Sequence, residues 1–219
     1  MSKRATLDDH APQNQARVHV RVPCYNRPDF LRRALSSLQN QTWENWVCDI
    51  YDDSTTDECR DLVDTLNDPR MHYHRNTPRR FASSNIDQCF SKDNPRNAEY
   101  FCLLEDDNYF LPDFMASNIE ILKSWGGKVV LRNQIMELNS GTEHAKLSDV
   151  RLMDKAFNEG EISASEMRLS ILCGIGMSHG GLFWTHDCKT DFEIHHPVNA
   201  TILEPARTFV LEDDIWCAL

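Results

Sequence analysis

No stretch of this chain approaches the roughly 18 consecutive apolar residues that a membrane-spanning helix needs, the richest runs being Phe101–Leu104 and Val129–Leu131. A bilayer-spanning segment is therefore not expected. The first sixteen residues carry Lys3 and Arg4 but no apolar centre and no small-residue cleavage signal. They read as a flexible arm and not as a secretory leader. The eight cysteines stand singly, without a CxxC pair and without the density of a disulfide scaffold, which predicts reduced, mostly buried thiols in a cytoplasmic protein. On that reading the Asn199-Ala200-Thr201 sequon is a chance match. Basic residues are also short, with 23 Lys+Arg against 34 Asp+Glu, a net charge of -11 and a pI near 5.2. An overall negative field argues against nucleic acid or anionic lipid as a partner. Internal repeats and low-complexity tracts are missing as well.

What is present suits one globular domain: 219 residues, 41% apolar and 26% charged, enough to bury a sizeable core. From Arg17 the pattern alternates. Val18, Val20 and Val22 predict a strand ending at Pro23, and Pro28 opens a helix whose apolar face is Leu31, Ala34, Leu35 and Leu38. A second strand spans Trp46 to Tyr51. Thr55 and Glu58 then have the spacing of a capping box, before a helix with Cys59, Leu62, Val63 and Leu66 on one face. Met71 and Tyr73 suggest a third strand, and Ser83 to Phe90 a helix. Tyr100 to Leu104 reads as a central strand covered on both faces. A helix follows with Pro112 near its start, Met115, Ile119 and Leu122 inward and Gly126-Gly127 as its stop, and then a strand over Lys128 to Leu131. Such alternation predicts an α/β fold with a mostly parallel central sheet flanked by helices. After Ser140 the expectations are a helix around Ala164 to Leu172, a glycine-rich loop from Cys173 to Gly181, a strand Leu182 to Thr185 and an acidic motif Leu211-Glu212-Asp213-Asp214.

In open α/β sheets ligands bind beyond the carboxyl ends of the strands. Three polar motifs fall there: Pro23-Cys24-Tyr25-Asn26-Arg27, Asp52-Asp53-Ser54 and Glu105-Asp106-Asp107-Asn108. Any one of them alone suits a turn or cap. Several carboxylates at the end of a buried strand, however, repel one another unless a cation or partner neutralises them. Mg²⁺ or Mn²⁺, which take one or two carboxylates and complete their shells with water and phosphate, answer that need.

These motifs, with Val20-x-Val22 before the first, Thr55-Thr56-Asp57 after the second and Leu111-Pro112-Asp113 after the third, resemble in order and spacing those of inverting nucleotide-sugar glycosyltransferases of the GT-A fold. That large family includes cellulose and chitin synthases and the spore-coat polysaccharide transferase. The likeness runs from about Val18 to Trp125. It implies a GT-A domain over residues 17–219, with a nucleotide-sugar-binding half at 17–135 and an acceptor-side half at 136–219. Pro23, Tyr25, Asn26 and Arg27 would belong to the donor site. Tyr25 would pack on the nucleobase, Asp52 or Asp53 would accept its imino N–H, favouring UDP or dTDP, and Arg79 or Arg80 would contact base or phosphate. Asp106 would contact ribose or donor sugar, and Asp107 would hold Mn²⁺ or Mg²⁺. Asp213 or Asp214 would be the general base for an acceptor hydroxyl, in polysaccharide or glycoconjugate synthesis. One base and one in-line attack invert the anomeric centre.

The pattern is not followed throughout. His19 and Arg21 stand where relatives are apolar, so one face of the first strand should be wet or paired with an acid. Ser54 replaces a common glycine, and Asn76 to Phe81 lacks one. The chain ends six residues after Asp213, from which a truncated or open acceptor side is expected. His179 is a candidate for lining that side, Trp184 and Trp216 for stacking on sugar, while His195-His196 reads as a solvated loop. A rival reading is a nucleotide-sugar-binding domain without catalysis, or one piece of a larger synthase. A metal-dependent nucleotidyltransferase would call for a glycine-rich loop after the first strand, and Pro23 to Pro28 contains no glycine.

Overall fold

The computed structural model describes residues 15–153, 160–163, 165, 166, 169 and 179–188, and the backbone of 215–218. The first half follows the expected alternation: β1 Val18–Cys24, α1 Pro28–Gln39, β2 Trp46–Asp52, α2 Glu58–Leu66, β3 Met71–Arg75, α3 Phe81–Gln88, β4 Tyr100–Leu103, α4 Phe114–Trp125 and β5 Val129–Leu131. Pro28 occupies the first turn of α1, and Leu31, Ala34, Leu35 and Leu38 are fully buried beneath it. Gly126 ends α4 in the left-handed conformation at φ 72°, one that costs glycine nothing. The Thr55 capping box does not form. Helix α2 begins three residues later, with Asp57 at its N-cap, because the Thr55 N–H and hydroxyl both bond to Asn26 Oδ1 across the neighbouring loop.

Eight strands form one sheet in the order β3-β2-β1-β4-β9-β5-β10-β8. It is mostly parallel, as expected, with antiparallel pairings at two strands. Strand β9, Leu182–Thr185, runs antiparallel between β4 and β5, and β8, Gly160–Ser163, is antiparallel to β10, Ile215–Ala218. A separate hairpin of β6, Ile135–Leu138, and β7, Lys146–Arg151, has no counterpart in the sequence reading. Its exposed, mixed residues lack the alternation that marks a half-buried strand. No helix among the described residues is long and apolar enough to cross a membrane. The predicted helix at 164–172 and most of the glycine-rich loop lie outside the described residues.

Two apolar layers sandwich the sheet. Val18, Val20, Val22 and Cys24 face α1, α2 and α4, together with Cys102, Leu104 and Phe183. On the other face Phe101, Leu103, Val129, Leu182 and Trp184 pack with Cys89 and Phe90, which follow α3. Trp184 is 2% exposed and stacks on Phe90 and Phe101, so it serves the core and is no sugar platform. Cys24, Cys48, Cys59, Cys89, Cys102 and Cys188 are free and buried, as expected.

His19 and Arg21 point into the second layer, and both are buried; the expected alternative of a wet face does not occur. Asp49 accepts hydrogen bonds from His19 Nε2 at 2.8 Å, His74 Nε2 at 2.9 Å and Arg96 at 2.5 Å. Arg21 donates to the carbonyls of Cys89, Ser91 and Asp93 and lies 4.8 Å over the Phe101 ring. A buried cation is thus solvated by backbone, which fastens the loop before β4 to the central strand. Burial pushes the His19 ring below its usual value of 6.5 despite the bond to Asp49. Burial alone would raise Asp49, yet its bonds from His19, Arg96 and His74 hold it well below the usual carboxylate range.

Both shifts make acid destabilising. Unfolded His19 takes up a proton near its ordinary value while the folded ring stays neutral, so stability falls as pH drops below about 6.5, and again below about 4 as Asp49 protonates on unfolding. For His19→Gln, urea unfolding between pH 6.5 and 5 should lose up to about 1.4 kcal/mol per pH unit of this slope. An unchanged slope would assign the effect to other histidines.

Candidate active site

The chain leaves β1 toward β2 on one side, and β4 joins β1 on the other. This reversal opens a crevice at the carboxyl ends of β1 and β4, the ordinary place for a ligand in such sheets. The Tyr25–Arg27 loop comes from β1 and the Glu105–Asn108 turn from β4. Buried Asp106 joins them: its Oδ2 accepts the Tyr25 N–H at 3.0 Å and Arg27 Nε at 3.3 Å, and its Oδ1 accepts Arg27 Nη2 at 2.5 Å. The other guanidinium nitrogen donates to Asp107 Oδ2 at 2.6 Å. Asp107 is exposed, its side chain 43% accessible. Burial raises the Asp106 carboxyl above its ordinary value, against the lowering effect of the Tyr25 N–H and Arg27. The pair therefore divides into one buried carboxylate that holds the loop and one that faces the crevice.

Pro23 is buried in β1 opposite Tyr51. Asn26, at φ 50°, donates its N–H to Ser54 Oγ and accepts the Thr55 N–H, so the first two loops brace each other. Asp52 is completely buried, accepting the Ser54 N–H at 2.8 Å and the Tyr73 hydroxyl at 2.5 Å. Asp53 accepts Asn76 Nδ2 at 2.8 Å and the backbone N–H groups of Arg80 and Phe81 at 2.9 and 2.6 Å. Those two bonds hold Phe81 at φ 61°, a left-handed conformation uncommon for a bulky residue. The result is a rim of three side chains, with the Arg79 guanidinium 4.7 Å over the exposed Tyr25 ring and 5.1 Å from the Phe81 ring. Tyr25 and Arg79 were legible from sequence. Phe81 was not, because its place depends on a backbone conformation that no motif announces. Arg80 contributes its N–H to Asp53 and leaves its side chain exposed.

Because β9 runs antiparallel, its first residues arrive where β4 and β5 end. This sets His179, Gly180 and Gly181 against the acidic turn. His179 Nδ1 lies 3.9 Å from Glu105 Oε1, and Glu105 Oε2 also accepts Asn108 Nδ2 at 3.0 Å. A Cβ on Gly181 would sit 2.4 Å from the Arg132 carbonyl oxygen, so only glycine permits this approach. Beyond Asp107 a groove of about 780 Å³ runs between α4 and the β6–β7 hairpin, with Leu111, Phe114, Ile121, Met136 and Leu138 in its wall. Arg33 of α1 fastens the hairpin by pairing with Glu137 and donating to Ser140 Oγ at 3.0 Å. Asp213, Asp214 and His195-His196 lie outside the described residues. Asp213 and Asp214 directly precede β10 in the sequence.

The family model for glycosyl transferase family 2 matches residues 20–164, more than half of the chain. Protein CgeD of Bacillus subtilis (strain 168) is 24% identical over 183 residues, which cover 79% of this chain and 43% of that protein. The GalNAc(5)-diNAcBac-PP-undecaprenol beta-1,3-glucosyltransferase of Campylobacter jejuni is 28% identical over 102 residues, 43% of this chain and 31% of that enzyme. Among solved structures, S. aureus TarS 1-349 in complex with UDP-GlcNAc aligns with a TM-score of 0.58 at 14% identity, covering 78% of this chain and 45% of that one. At that identity the likeness speaks for the fold. The chain spans less than half the length of each of these relatives. With the GT-A architecture and a family match that takes in both the Tyr25–Arg27 loop and the Asp106–Asp107 pair, this chain belongs to glycosyl transferase family 2.

Proposed function

We propose that this protein transfers a sugar, with inversion, from a nucleoside diphosphate donor to an acceptor hydroxyl in polysaccharide or glycoconjugate synthesis. The observation that carries the reading is the Asp106–Arg27–Asp107 arrangement at the switch point of the sheet. Buried Asp106 stiffens the loop that presents Tyr25, and exposed Asp107 faces the crevice beside it.

The donor set fits a divalent cation. Asp107 is an accessible hard oxygen donor that already sits against a cation, the Arg27 guanidinium, and Mg²⁺ or Mn²⁺ needs only one or two carboxylates when a diphosphate supplies further oxygens. Asp107 would hold that ion, which when bound supplies Lewis-acid stabilisation of the departing diphosphate. Arg27 would then be freed to pair with phosphate oxygens. The nucleobase is assigned to the Tyr25–Arg79–Phe81 rim. Asp53 already accepts from three groups, the Arg80 N–H reaching both of its oxygens, so an imino N–H of uracil or thymine would have to displace one of them. Asp106, whose oxygens are engaged by the Tyr25 N–H and Arg27, would contact the ribose or sugar only as Arg27 turns to the phosphate. The acceptor would approach along the groove past Leu111 and Met136. Its hydroxyl proton would pass to Asp213 or Asp214, a transfer worth typically ~10²–10⁴-fold.

Melting temperatures with UDP, dTDP, GDP and CDP, each with and without Mn²⁺, test the donor site. UDP or dTDP at about 100 times Kd should add about 2.7 kcal/mol, or about 5–10 °C, only when Mn²⁺ is present. Asp107→Ala should abolish that gain without changing the melting temperature of the free protein; a retained Mn²⁺-dependent gain would remove Asp107 from the metal. Binding without turnover of any sugar nucleotide would support the non-catalytic reading. Tyr25→Ala should weaken UDP about 5- to 100-fold in a calorimetric titration, as loss of one base-stacking contact does. Equal affinity would move the base elsewhere.

A further inference from the structure

Beneath the donor loops lies a cluster that the transfer reaction does not use. Cys24 ends β1, Asp52 ends β2 in register beside it, and Cys59 is the second residue of α2. One ligand atom of each lies within 4.8 Å of the other two. All three are buried, at 2%, 0% and 1% exposure. The Cys24 thiol donates to Asp52 Oδ1 at 3.5 Å, and the Ser54 hydroxyl donates to Cys59 Sγ at 3.4 Å. We propose that Cys24, Cys59 and Asp52 form a structural zinc site.

Two sulfurs and one carboxylate oxygen make a soft-to-borderline donor set, which selects zinc over the Mg²⁺ or Mn²⁺ suited to Asp107. A tetrahedral ion with bonds to sulfur and oxygen of about 2.3 and 2.0–2.2 Å needs its ligand atoms about 3.4–3.8 Å apart, a spacing that Cys24 Sγ and Asp52 Oδ1, at 3.5 Å, already meet. The Ser54 hydroxyl is the oxygen at hand for a fourth position. Binding converts both thiols to thiolates and releases their two protons to water, the Cys24 S–H···O bond giving way to bonds from each atom to the metal. The three anionic ligands then exceed the ion by one negative charge. Arg75, whose Nε lies 3.7 Å from Asp52 Oδ2, offsets it. The remaining bonds of Asp52, from the Ser54 N–H and the Tyr73 hydroxyl, already orient the carboxylate. Full burial means that the ion would enter as the chain folds. It would cross-link β1, β2 and α2, the elements whose loops carry Tyr25, Arg27 and Asp53.

The test uses the full chain, purified reduced and stripped with a chelator, then refolded with Co²⁺ or Zn²⁺. One equivalent of Co²⁺ should give a thiolate-to-cobalt charge-transfer band of two-thiolate intensity. Zn²⁺ should displace it, release about two protons per ion by the ligand chemistry above, and raise the melting temperature. No thiolate band in the wild-type chain overturns the proposal outright, whatever the variants do. Cys59→Ala and Cys24→Ala should each lose the band, while Cys188→Ala keeps it. A band that survives Cys59→Ala, or one lost in Cys188→Ala, places the metal elsewhere and also overturns it. Because a cation at Asp107 contacts no sulfur, the band reads this site separately from the proposed donor site.

Discussion

The bond from the Tyr25 N–H to Asp106 is the contact on which the arrangement of the crevice depends. It spans the two parallel strands at which the order of strand addition reverses, and it is made by a carboxylate that is 1% exposed. A buried carboxylate is costly unless its lone pairs are filled. Here Arg27 and a backbone N–H fill them, and both come from the loop that has to be held. The cost of burial is thereby offset by groups whose positions matter to the ligand. Asp107, one residue on, is left at the surface because the chain turns outward after β4.

The same economy recurs on either side. Asp53 spends its oxygens on Asn76 and on two consecutive N–H groups, and so sets Phe81 in a conformation that brings its ring to Arg79. Asp49 gathers His19, His74 and Arg96 on the other strand face. Several of the acids that contribute to the net charge of -11 are therefore structural, and their charges are met locally. Removing one partner of such a group leaves the other buried and unpaired, which costs more than the pair itself contributes.

Much of the first half was legible because its elements obey simple periods. The face Leu31, Ala34, Leu35 and Leu38 could only be a buried helical stripe, and Tyr100–Leu104 could only be a covered strand. The capping box at Thr55 failed because a hydrogen bond from another loop competed for the same groups. His19 and Arg21 read as a possible wet face because their partners, Asp49 and the carbonyls of residues 89, 91 and 93, lie 30 and about 70 positions away. The β6–β7 hairpin was missed because its residues are mostly exposed and carry no burial pattern.

Residue order by itself determined the class of fold and the identity of the polar groups at the strand ends, since side-chain period and turn chemistry are local properties. Family membership followed from those same motifs. Only the tertiary structure decided which carboxylates face the crevice and which hold it together, for Asp52, Asp53, Asp106 and Asp107 look alike in sequence. Their division depends on which donors other strands and loops bring near. The antiparallel insertion of β9, which carries His179 to Glu105, and the meeting of Cys24 with Cys59 and Asp52 are likewise products of strand order. They follow from packing distant segments against one another, and no local rule encodes that.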